Sequence, residues 1–305
     1  MRLVGHVKES ILQELREAFL TRRSLENLPD EVWRRTSALN TWGTNAIEGN
    51  TLTWSDVEKL LLEEQSVANR PLPDVLETLQ HEAAFRSLLA RKDQPVTLVT
   101  ALELHEMVFK GIRNTDPGQW RRVNVRIGGT QHRPPRAEKV VAEMERWRAE
   151  YDRREVEGKD TFALAAWMHH RFESIHPFRD GNGRVGRLLL NLHFMKRNWA
   201  PVHLGPPDRK AYRAALEAGH GGDLSRLISL LQGAMARSLL DLLDQVGTES
   251  DELKVLWSFS AKSGFSGHYL ALRAGQGELP AVKERGRWRT SARGLSLYKR
   301  HSSRK

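Results

Sequence analysis

The 305-residue sequence contains no cysteine, which excludes a disulfide framework, a thiolate zinc site and a cysteine nucleophile. It also lacks any apolar run long enough to span a bilayer. Its first twenty residues, MRLVGHVKESILQELREAFL, mix charges where a secretory signal would hold an uninterrupted apolar stretch. The expectation is a soluble, cytoplasmic protein with no membrane partner and a core that stands without staples. Internal repeats and low-complexity segments are missing too, which excludes a solenoid.

Positive charge is abundant. The net charge is +10, and residues 281 to 305 alone carry nine Lys and Arg against the single acid Glu284. Such a tail fits a polyanion partner or simply solubilises the chain.

Apolar residues recur at spacings of three and four through nearly every long segment, as in Leu12, Leu15, Phe19 and in Leu188, Leu192, Met195. The fold class is therefore all-α, mostly helical. Helix starts are expected at Thr53-Trp-Ser-Asp56 and Thr100-Ala-Leu-Glu103, and breaks at Pro71-Leu-Pro73, Pro134-Pro135 and Pro206-Pro207. One stretch differs: Val123, Val125 and Ile127 alternate with polar residues before Gly128-Gly129, which reads as a small β-hairpin. A linker is expected near Gly247-Thr-Glu-Ser250.

Chemistry concentrates in His176-Pro-Phe-Arg-Asp-Gly-Asn-Gly-Arg-Val-Gly-Arg187. Gly181, Asn182 and Gly183 precede an apolar helix, so their N–H groups form a concave nest at a helix N-terminus, suited to phosphate oxygens. Arg184 and Arg187 lie three apart on that helix and both reach a phosphate. Asp180 is placed to hold Mg²⁺ through one carboxylate, and His176, with a reference pKa near 6.5, suits a general base. Gly181, Gly183 and Gly186 also satisfy a dinucleotide fingerprint, but the residues before them are helical in pattern, where that fingerprint needs a strand. A metal triad of His170, Glu173 and His176 fails because positions 170 and 176 lie about 240° apart on a helix; His169 and His170 read as structural.

This segment matches H-P-F-x-[DE]-G-N-G-R-x-x-R at every specified position and so resembles the signature of the Fic (filamentation induced by cAMP) family. The resemblance extends over roughly residues 35 to 240, including Pro117-Gly-Gln-Trp-Arg121 and Asp208-Arg-Lys-Ala-Tyr212. It implies a protein adenylyltransferase that moves AMP from ATP to a Ser, Thr or Tyr hydroxyl of a target protein, the chain itself included, with Mg²⁺ bridging phosphates. In that role His176 is the base, Asp180 the metal ligand, Gly181, Asn182, Gly183 and Arg184 the nucleotide cradle, and Arg187 the γ-phosphate contact. The expected hairpin would be the family's flap, with Ile127, Gly128, Gly129 and Thr130 registering the target's main chain. A kinase relative is disfavoured because Gly183 stands where that branch usually has lysine.

Thr44-Asn-Ala-Ile-Glu48-Gly49 resembles the family's inhibitory motif, which implies that Glu48 pairs with Arg187 and blocks productive ATP binding. In relatives the same glutamate can serve removal of AMP. Residues 255 to 299 resemble the winged helix-turn-helix of excisionase and MerR-type proteins, which implies a DNA partner, with Lys283, Arg285, Arg287 and Arg289 on phosphates. The expected organisation is an N-terminal helical region over 1–94, a Fic core over 95–245 and a basic module over 250–305. The alternative function is a DNA-binding regulator with a nucleotide-binding Fic core. A homodimer is left open.

Overall fold

The computed structural model describes residues 7–112, 116–284 and 286–302; Arg285, Arg304 and Lys305 of the basic stretch lie outside the described residues. The chain forms two compact units. The larger comprises 33–198 and 203–228, and the smaller the described parts of 1–32, 199–202 and 229–305.

The larger unit contains α2 (Asp30–Glu48, from residue 33), α3 (Trp54–Val57), α4 (Leu72–Arg91), α5 (Leu98–Phe109), α6 (Val140–Val156), α7 (Thr161–Ile175), α8 (Asn182–Met195) and α9 (Arg209–His220). Its axis is α8, in which every residue except Gly183 is buried. A helix buried on all sides has no solvent face to offer, and α4, α5 and α7 pack around it. The polar side chains at its first turns are therefore held by a rigid element on every side.

Local chemistry explains where these helices begin. Thr53 caps α3 in a reciprocal box with Asp56, as expected from sequence. The cap of α5 falls three residues before the expected one: Thr97 accepts from Thr100 N, and the Thr100 side chain turns back to Thr97. Asp160 Oδ1 accepts from Ala163 N at 2.7 Å and starts α7.

The expected hairpin over 123–133 is not formed, and among the described residues strands occur only between 254 and 290. Gly128 and Gly129 do make a turn, and Val125 and Ile127 are half-buried while their neighbours are exposed. The alternation thus marks an extended segment with one inward face. No ladder closes it, because Pro134 and Pro135 on the returning side have no N–H to donate and because Arg121 occupies the carbonyls at its base.

In the smaller unit α1 (Glu9–Arg22) buries Ile11, Leu12, Leu15 and Phe19 and packs on α13 (Ala292–Ser302), where Glu14 bonds Arg300 and His301. α10 (Ser225–Val246) contributes its residues from 229 onward. The stretch at 247–250 is a bonded turn: Thr248 N donates to Asp251 Oδ2 at 3.0 Å, and the fully buried Asp251 pairs with Arg293 at 2.5 Å. β1 (Lys254–Val255), β2 (Val282–Glu284) and β3 (Arg287–Thr290) form an antiparallel sheet in the order β1-β3-β2. α11 (Ser260–Ser263) and α12 (Gly267–Gly275) are joined by a turn at Gly264, whose φ is +76°. Leu256, Leu270, Leu279, Leu295 and Tyr298 form the core beneath them.

Candidate active site

The site grows from the turn between α7 and α8. α7 stops at His176, which adopts the left-handed conformation at φ 52° and ψ 61°, a cost of about 1 kcal/mol for a residue with a Cβ. The following turn is closed by Asn182, whose Oδ1 accepts from Phe178 N at 2.8 Å and whose Nδ2 donates to Phe178 O at 3.0 Å. Gly181 has φ +79°, and a Cβ there would stand 2.0 Å from the Phe109 ring, so only glycine fits. His105 braces the turn from α5: it accepts from Gly118 N on Nδ1, which leaves Nε2–H to donate to Asp180 O at 3.2 Å, and it stacks on Phe178. No side chain caps α8, so its first-turn N–H groups are available to an anion.

Both signature arginines are buried. Arg184 donates to Glu77 Oε2 at 2.5 Å and to Asp180 Oδ1 at 3.2 Å, and its guanidinium lies 4.5 Å from the centre of the Phe109 ring. Arg187 donates from Nε to Thr44 Oγ1 at 2.5 Å, from Nη2 to Glu48 Oε1 at 2.7 Å, and from Nη1 to Tyr212 Oη at 3.4 Å. A proton chain continues behind it. His169 Nδ1 faces Gly186 O at 3.1 Å and must donate, so Nε2 accepts the Tyr212 O–H at 2.7 Å.

The electrostatics follow from burial. Desolvation alone would raise the pKa of Glu48, but the charge and hydrogen bond of Arg187 outweigh it and leave the carboxyl below its ordinary range. Burial pushes His169 down to about 3 and raises Tyr212, with Glu173 adding to the latter. Burial also lowers His176 to about 4, against the opposing effects of Glu173 O, Glu48 and Asp180. Its Nδ1 lies 3.3 Å from Glu173 O; since a carbonyl only accepts, the proton sits on Nδ1 and the Nε2 lone pair is free to take another.

Two functional candidates carried no assigned role in the sequence reading. Glu173 is 8% exposed, its Oε1 has no hydrogen-bond partner, and burial pushes its pKa up to about 8, with Glu48 adding and Arg187 opposing. The signal was an acid in an otherwise apolar helix, three residues before His176. Arg121 is 2% exposed and bonds backbone carbonyls on both sides of the site; the resemblance takes in Pro117-Gly-Gln-Trp-Arg121 but gives this arginine no role.

A cavity of about 280 Å³ brings the parts together. Its walls include Glu48, Glu173, His176, Gly183 and Arg187. The expected flap residues Ile127, Gly128, Gly129 and Thr130 line it as well, as do Arg213 and His220 of α9. Thr130 Oγ1 donates to Glu217 Oε2 at 2.5 Å. His132 Nε2 lies 2.9 Å from Ser174 O, and its ring stacks on His220 at 3.9 Å. Asp180 stands at the turn with its side chain 59% exposed.

Residues 95–194 match the Fic/DOC family model. The chain's curated relatives are protein adenylyltransferases: it is 31% identical over 198 residues to protein adenylyltransferase fic-1 of Caenorhabditis briggsae, covering 63% of this chain and 38% of that protein. It is 29% identical over 196 residues to protein adenylyltransferase Fic of Culex quinquefasciatus, covering 63% and 39%. The chain thus spans about two fifths of the length of these relatives. Among solved structures its fold is similar to a Fic-domain signaling protein from Bacteroides thetaiotaomicron, with a TM-score of 0.68 at 22% identity, covering 76% of this chain and 96% of that one. It is also similar to a fragment of Caenorhabditis elegans Fic-1, with a TM-score of 0.66 at 24% identity, covering 77% and 72%.

Proposed function

We propose that this chain is a protein adenylyltransferase held in check by Glu48: it transfers AMP from ATP to a hydroxyl of a protein target. The observation that carries the reading is the convergence of the uncapped α8 N-terminus at Gly183, the buried Arg187 and a histidine with a free Nε2 on one cavity. The triphosphate would lie along the first turn of α8, with its α-phosphorus near His176 and its γ end at Arg187. His176 Nε2 takes the proton of the target hydroxyl, the oxygen forms its bond to the α-phosphorus, and the bond to pyrophosphate breaks. Because burial keeps His176 neutral, the acceptor lone pair is present at neutral pH without prior deprotonation.

Mg²⁺ fits Asp180 as a single-carboxylate ligand. Among the described residues no group of three or more His, Asp or Glu could hold an ion alone, so phosphate oxygens and water would have to complete the shell, the usual arrangement for this ion. When bound, it would neutralise charge between phosphates. Glu48 opposes the whole arrangement by occupying the guanidinium that the γ-phosphate needs. The class of reaction is tested by giving the Glu48→Gly protein α-labelled or γ-labelled ATP with a cell lysate. Transfer of α-label only is expected, and transfer of γ-label would replace the reading with kinase chemistry.

A second reading concerns the smaller unit, where the helix pair α11–α12 followed by the β2–β3 wing supports contact with a duplex. The exposed side chains of α12, those of His268 and Leu272, are poor readers of base edges, whereas Lys283 and Arg287 on the wing are exposed cations. Binding would therefore be to phosphates. Replacing both with alanine should lower the salt dependence by about two phosphate contacts; no duplex binding at low salt removes this reading.

A further inference from the structure

Arg121 is a buried cation with unusual partners. Among the described residues its guanidinium bonds only backbone carbonyls: Nε to His176 O at 2.8 Å, Nη1 to Val123 O at 2.9 Å, and Nη2 to Pro135 O at 2.5 Å and Ile175 O at 3.4 Å. Its own N–H donates to Pro177 O at 2.9 Å. Burial lowers its pKa and Glu138 supplies the opposing charge.

These acceptors belong to two separate parts of the site. Ile175, His176 and Pro177 are the end of α7 and the turn that carries the base. Val123 and Pro135 are the two ends of the extended flap, which has no ladder of its own. A planar guanidinium presents its donors in a fixed fork, so one side chain sets the spacing of three chain segments at once. It also bonds the carbonyl of His176, whose backbone is left-handed.

We propose that Arg121 is a positioning residue for the transfer reaction: it locks the backbone of His176 and both ends of the flap in one register, so that a hydroxyl presented along the flap arrives within reach of His176 Nε2. This rests on the transferase reading for its chemistry, but the lock itself is a property of the folded chain. Lysine at 121 keeps the charge and much of the stem but has a single donor centre, which cannot span acceptors on opposite sides.

The test uses the absence of cysteine. A Cβ at Gly128 meets nothing within 4 Å, so Gly128→Cys gives one spin-label site on the flap. At so open a position the label follows the backbone, so its mobility should be lower with Arg121 intact and should rise measurably with Arg121→Lys. In the Glu48→Gly background, Arg121→Lys should leave the ATP dissociation constant within about 2-fold while lowering the transfer kcat by about 100-fold, the scale of an ångström-sized misplacement. Unchanged label mobility, or a kcat within about 3-fold of the parent, overturns the proposal. If the parent itself transfers no AMP, the transferase reading fails while the label still judges the lock. Should the variant not fold, the native protein decides: the Arg121 Nε–H should exchange with solvent at least about 100-fold more slowly than that of the exposed Arg122, and equal rates overturn the lock.

Discussion

The carboxylate of Glu48 rests against Gly183: a Cβ at residue 183 would stand 2.2 Å from Glu48 Oε1 and 2.9 Å from Arg187 Nη1. The last residue of α2 and the first turn of α8 therefore meet at the one position of α8 that is not buried by its own side chain. A carboxylate already sits where the first turn of α8 and Arg187 converge.

Removing that anion should weaken the fold and strengthen the nucleotide. Glu48→Gly leaves Arg187 buried without its carboxylate, and because the Glu48 side chain is 33% exposed the loss should be about 1–2 kcal/mol, less than for a fully buried pair. Thermal melting should show a drop of several degrees, and saturating ATP at about 100 times its Kd should return about 2.7 kcal/mol. The native protein should gain less from the same ATP. Equal shifts in both proteins would mean that Glu48 does not compete with nucleotide.

Glu173 gives a pH signature of definite sign. Its folded pKa of about 8 lies above the ordinary value of about 4.3, so its contribution is fully present below pH 4.3 and is lost as pH rises toward 8. Glu173→Gln should therefore gain stability over the native chain by roughly 1 kcal/mol per pH unit between pH 5 and 8, and nothing further above 8. Chemical denaturation across this range measures it; a difference that does not change with pH contradicts the assignment.

Tyr212→Phe should cost about 1–3 kcal/mol, because it leaves His169 Nε2 buried without a donor and takes an acceptor from Arg187. Melting temperature reports the first effect. A weaker ATP affinity in the Glu48→Gly background reports the second, since Arg187 would lose one of the groups that aim it. A change within experimental error in both would show that the hydroxyl does not tie the two residues together.

The titration of His220 should report its stacking on His132. Burial lowers His220 first, and the neighbouring His132 lowers it further. His132→Gln should raise the His220 pKa toward the ordinary 6.5, read from its ring signals by NMR. With a lowered folded pKa, the contact contributes above pH 6.5 and weakens as pH falls. A His220 titration unmoved by the substitution would rule out the coupling.

Most of the candidate site was legible as a place in the chain because it is local: His176 to Arg187 is one turn and one helix, and Gly181, Asn182 and Asp180 lie within it. The helical class was equally legible, since α1 and α8 bury the residues that the three-four spacing selected. The flap was misread because alternation reports a half-buried extended segment, not whether a partner strand exists, and its ends are held by Arg121 from outside the pattern. The contacts of Arg121, of Glu173 and of the Tyr212–His169 pair were illegible for the same reason. Their roles depend on which carbonyls and cavities distant segments bring beside them, and periodicity carries no such information.

The most direct test is transfer of α-labelled AMP to protein by three forms of the chain in parallel: native, Glu48→Gly, and Glu48→Gly with His176→Ala. The account predicts little label with the native protein, at least about 10-fold more when Glu48 is removed, and a loss of about 100-fold or more when the base is then taken away. Equal label with and without His176 would contradict it.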